Sequence, residues 1–78
     1  MLQVVLTAEE AKQARDLADV LHDAWMKSGF QGKVLVDLTL PISVVRYAKR
    51  KFDHNHALRV EVVVNWEDMT FRFQDPLL

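Results

Sequence analysis

Seventy-eight residues, half of them apolar and 27% charged, suit one small domain with a single hydrophobic core. The absence of Cys excludes a disulfide framework, a thiolate metal centre and a thiol nucleophile. The net charge of -1 hides a segregation: Arg46 to Arg59 carry five cations and one anion, Asp53, whereas the rest of the chain carries five cations and ten anions. Such a dipole can steer partners of either sign.

One domain over residues 1–78 is expected. A chain this short buries roughly 60–65% of its unfolded surface, so association with a partner or a second copy enters the reading early. The opening "MLQVVLTAEE" lacks the basic region of a signal peptide, and no stretch approaches the roughly 20 apolar residues of a membrane span. The expectation is a cytoplasmic protein with no membrane partner.

In chain order, "LQVVLT" alternates Leu2, Val4 and Leu6 with Gln3, Val5 and Thr7, predicting a half-buried strand over about 2–7. Thr7 and Glu10 then have the spacing of a capping box, which starts a helix over about 8–28. Ala14, Leu17, Ala18, Leu21, Ala24 and Trp25 share one helical face, and Asp16, Asp19 and Asp23 gather on the opposite one. Gly29 supplies the stop, with Phe30 placed for the hydrophobic contact that accompanies it.

"KVLVDLTL" alternates again and predicts a strand over about 33–40, with Val34, Val36 and Leu38 on one face. Pro41 opens a second helix, about 41–53, with Val44, Val45, Ala48 and Phe52 as its buried stripe and Asn55 as its stop. "LRVEVVVNWEDMTFRF" reads as a hairpin of strands about 58–64 and 69–74. Its expected register sets Val60 opposite Phe73, Val62 opposite Phe71 and Glu61 opposite Arg72, with a four-residue loop around 65–68.

The fold class that follows is α+β: a two-layer sandwich in β-α-β-α-β-β order, a four-stranded mixed sheet with two helices on one face. The uncovered face would present the aliphatic Val5, Leu35 and Val63 among charges, a candidate interface.

Catalytic chemistry finds little to stand on. There is no Walker loop, dinucleotide fingerprint, nucleophile elbow or HExxH helix, and two Gly residues cannot build a phosphate-cradling loop. Ser28 and Ser43 are each explained by local backbone bonding at a helix end. No catalytic residue and no cofactor are assigned. His54 and His56 with Asp53, approached by His22 and Asp23, have donors of suitable hardness for a divalent ion, but a polar helix end explains them as well, and no metal is assigned.

The basic stretch "RYAKRKFDHNH" divides by helical geometry. Arg46, Lys49 and Arg50 form one exposed stripe, flanked by Tyr47 and, where the fold permits, Arg59, while Lys51 lies beside the apolar face. Three to five phosphate contacts would give weak, salt-sensitive nucleic-acid binding, and no recognition helix or stacking pair accompanies them. Solvation and favourable placement at a helix C-terminus are the plainest explanation of the cations.

The functional expectation is a non-enzymatic interaction protein that modulates or inhibits a larger partner, in the manner of a phage- or plasmid-type inhibitor of host machinery. It would use the basic stripe, or the acidic stripe of Asp16, Asp19 and Asp23. The alternatives are a small nucleic-acid-binding regulator and a homodimer that pairs its acidic helix with its basic one.

Overall fold

The computed structural model describes residues 6–57 and 59–77. Helix α1 spans Ala8–Ser28, a 3₁₀ turn follows over Gly29–Gln31, and strand β1 is Lys33–Leu35. Helix α2 is Ile42–Asn55, and strands β2, Glu61–Asn65, and β3, Thr70–Gln74, form the hairpin. The strands lie in the order β1-β3-β2, both pairings antiparallel.

Helix α1 begins as its capping box dictates: the Glu10 N–H donates to Thr7 Oγ1 at 3.1 Å and the Thr7 N–H donates to Glu10 Oε1 at 3.0 Å. It ends at Gly29, where φ is +55° and the N–H returns to the Trp25 carbonyl. Phe30 then packs edge-on against Trp25 with ring centroids 4.8 Å apart. Gly32 has another reason to lack a side chain: a Cβ there would meet the Ala24 carbonyl oxygen at 3.0 Å and the Phe73 ring at 3.1 Å.

Both helices contribute to one core. Ala14, Leu17 and Leu21 of α1 and Val44, Val45, Ala48 and Phe52 of α2 pack with Val60, Val62, Phe71 and Phe73. The pleat places Val34 and Val64 either side of Phe71, and Val62 beside Phe73. Ala24 and Trp25, expected within the core stripe, lie at its margin, partly buried. An aromatic row crosses the interior from Trp25 to Phe73 to Phe52, with centroid spacings of 5.8 and 5.5 Å.

The α+β class holds, but the described sheet has three strands and is antiparallel, not mixed. The strand expected over 2–7 falls largely at residues 1–5, outside the described residues, as does Val5. Leu6 packs against the core and Thr7 serves as helix cap. The strand expected over 33–40 stops at Leu35 because Asp37 diverts the chain: its Oδ1 accepts from the Thr39 N–H at 2.9 Å and the Thr39 hydroxyl at 2.6 Å. Leu38, assigned to the buried face, is consequently 75% exposed, and Leu40 returns to the core instead.

The hairpin is shifted by two residues from its expected register: Val62 faces Phe73, Val64 faces Phe71 and Val63 faces Arg72. Glu61 therefore meets Gln74, whose amide donates to its carboxylate. Asn65 stays in the ladder opposite Thr70 while its side chain accepts the Glu67 N–H at 3.0 Å, so the loop is Trp66–Met69 rather than 65–68. Met69 closes it at φ +56°. A shift of two preserves which side chains face the core, which is why periodicity alone could not detect it.

Candidate functional site

The outer side of α2 and the adjoining β2–β3 loop carry the strongest candidate surface. Ile42, Val45, Val63, Val64 and Trp66 line a groove of about 360 Å³ that Arg46 and Lys49 also border. Ile42 is 57% exposed and Trp66 63%, and both are large apolar side chains held in water. Arg46, Lys49, Arg50 and Asp53 line the next depression along the helix, and Tyr47, Arg50, Lys51, His54 and Asn55 the one beyond.

The sequence-derived basic stripe is thus brought together, but its members are not equivalent. Lys49 donates to Asp53 Oδ2 at 2.6 Å, and the other oxygen of Asp53 accepts the backbone N–H of Val62 at 2.8 Å. The Lys49 charge is spent on pairing with Asp53, the residue that ties α2 to β2. Arg46 and Arg50 have no ion-pair partner among the described residues and are the stripe's available cations. Tyr47 stands beside them, about half exposed. Arg59 lies in the turn after α2, where its charge acts on His56, and does not line these three depressions.

The acidic stripe is answered within its own helix. Lys12 pairs with Asp16 and Lys27 with Asp23, each at 2.9 Å and with side chains well exposed. Pairs of this kind contribute about 0.3–0.5 kcal/mol and reduce the net field of the face. Asp19 makes no ion pair among the described residues and lines a cleft with His22, Lys51 and His56.

On the open sheet face, Leu35 is 77% exposed and sits beside Thr70, while Val63 is half-buried beside Arg72. Arg72 is engaged by its own strand and loop: Nη2 donates to Asp68 at 2.6 Å and Nε to Thr70 Oγ1 at 2.9 Å. The Thr70 hydroxyl donates in turn to Asp68, at 2.6 Å. That hydroxyl, then the Arg72 guanidinium, holds the Asp68 carboxyl below the usual carboxylate range. The Arg72 charge on this face is therefore already paired.

His22 and His56 do approach each other, but as a hydrogen-bonded pair: Nδ1 of His22 lies 3.1 Å from Nε2 of His56. Asp53 is turned toward Lys49 and Val62, and among the described residues no group of three or more His, Asp or Glu side chains could hold a metal ion. Ser43, expected to bond its local backbone, points its hydroxyl to Glu10 Oε2 across the helix pair at 3.4 Å. Sequence reasoning did not single out the exposed Ile42 and Trp66; an aromatic residue in a polar hairpin turn was the one available sign.

The fold defines a class, a small two-layer α+β domain with both helices packed on one face of an antiparallel sheet. No family model matches this chain, no curated protein matches it and no solved structure matches it. Among the described residues no helix is long and apolar enough to cross a membrane.

Proposed function

We propose that this chain is a non-enzymatic protein-binding domain that grips an acidic segment of a larger partner, seating one of its apolar side chains between Ile42 and Trp66. The observation that carries the reading is that two exposed apolar side chains, Ile42 of α2 and Trp66 of the β2–β3 loop, border the same surface as Arg46 and Arg50, which make no ion pair among the described residues. Trp and Arg are the residue types that most often dominate binding energy, provided that they desolvate together. Cations at the rim favour an acidic partner and speed its encounter.

Modulation or inhibition follows when the bound segment is one the partner needs elsewhere. The nucleic-acid reading draws on the same arginines, with Tyr47 and Trp66 as stacking surfaces. The protein reading is preferred because the groove between the anchors is aliphatic-walled, which suits a side chain better than a base.

The test is affinity capture from the native host, with nuclease treatment in parallel, comparing the wild-type chain with R46E/R50E and with W66A. A protein retained after nuclease and lost with both variants supports the proposal. Retention undiminished by either variant, or capture abolished by nuclease, refutes it.

A further inference from the structure

The end of α2 is fastened to α1 at a corner that the proposed binding face does not use. His56 is the last residue of the α2 turn, its N–H donating to the Phe52 carbonyl at 3.0 Å. Its own carbonyl accepts from Arg59 at 3.0 Å and from Val60 at 3.3 Å, so the chain pivots on it before entering β2. Its ring lies on that of Phe52, with centroids 4.2 Å apart, and its Nε2 meets Nδ1 of His22 at 3.1 Å. The two imidazoles, 34 positions apart in sequence, have ring centroids 5.1 Å apart and planes inclined at 23°.

A hydrogen bond between two imidazoles requires one ring nitrogen to donate and the other to accept through its lone pair. When both rings carry a proton on the facing nitrogens, two donors confront each other and the bond is lost. We infer that His22 and His56 form a proton-sensitive clasp, closed when at least one ring is neutral and opened when acidification charges both, releasing the corner between α1 and β2.

The surroundings favour the neutral form of His56. Lys51 and Asp19 share the cleft, Asn55 lines it without charge, Arg59 faces His56 from the following turn, and Asp53 is already occupied by Lys49. Asp23, next to His22, is paired with Lys27. Partial burial first, then the charges of His22 and Arg59, hold the His56 imidazole below its usual value, with Asp53 opposing. A depressed folded value means that the unfolded chain binds the proton first. Stability from the clasp is therefore present above about pH 6.5 and lost as pH falls through the folded value.

The deciding experiment is a proton titration of the imidazole carbons by NMR on the full chain, wild type and H22A, with the Arg59 and Val60 amides followed in the same spectra. The clasp predicts that the pair titrates in two steps separated by at least about one pH unit, with both amides moving in the lower step. In H22A, His56 should titrate in one step at higher pH, and the amide shift should lose its lower step. An identical single-step His56 curve in the two proteins overturns the inference. Should H22A fail to fold, the wild-type curve decides alone: two coupled steps support the clasp and one independent step per ring refutes it.

Discussion

Asp53, in the last turn of α2, accepts the backbone N–H of Val62 in the edge strand β2 at 2.8 Å. One carboxylate thereby caps a strand-edge donor and ties the helix to the sheet, while Lys49 neutralises it from one turn back. The pairing converts part of the basic stripe into structure and leaves the remainder for partners.

Removing this acceptor strands a donor on a residue that is fully buried. Asp53→Ala is expected to destabilise the domain by about 1–3 kcal/mol, and Asp53→Asn by less because an acceptor oxygen remains. Lys49→Ala, which loses only a partly exposed ion pair, should fall within about 1 kcal/mol of wild type. Urea unfolding of the three variants checks the order; equal losses for Asp53→Ala and Lys49→Ala would contradict it.

The capping box makes the acid limb of stability readable. The Thr7 backbone N–H, then its hydroxyl, keeps the Glu10 carboxyl below its usual value, and the Thr39 hydroxyl, then its backbone N–H, lowers that of Asp37. With folded values depressed, this stability is present above the ordinary carboxylate values near about 4 and disappears as pH falls through the lowered ones. Thr7→Ala should cost about 1 kcal/mol at neutral pH and flatten the decline measured by circular dichroism between about pH 5 and 2.

The two glycines should respond to alanine for different reasons. At Gly29 the added methyl meets open space, and the cost is that of a positive φ outside the left-handed helical region, about 1–3 kcal/mol. At Gly32 the methyl collides with backbone and with Phe73, so about 1–3 kcal/mol and a disturbed Phe73 environment are expected. Aromatic NMR shifts separate the cases: Gly29→Ala should leave the Phe73 resonances in place.

Trp66 and Ile42 contribute little to the core, so Trp66→Ala and Ile42→Ser should change unfolding stability by less than about 0.5 kcal/mol. A larger loss on thermal or urea unfolding would mean that these side chains serve the fold and would remove their claim to be anchors. Phe52→Ala, by contrast, should cost about 3–5 kcal/mol, enough to unfold a domain of this size at moderate temperature.

Local chemistry carried far in this chain. The span of α1 and the four-residue buried stripe of α2 follow from capping residues and from apolar spacing, both of which act within a few positions. Errors arose where two local signals competed. The alternation of Val34, Val36 and Leu38 continued past the point at which Asp37 and Thr39 could satisfy each other, and the turn prevailed. The hairpin slipped by two for a related reason: Asn65 can cap a turn with its side chain while its backbone remains in the ladder.

The sequence by itself determined which residues of α2 and of the hairpin face inward, where α1 begins and ends, and that Arg46, Lys49 and Arg50 share one surface, because periodicity and capping are short-range properties of the chain. The tertiary structure alone decided the strand order, the hairpin register, and which of those cations is consumed. It also decided that Ile42 and Trp66 line one groove with Arg46 and that His22 meets His56. Each of these depends on the distance between groups far apart in sequence, which only the packing of both helices on one sheet can set.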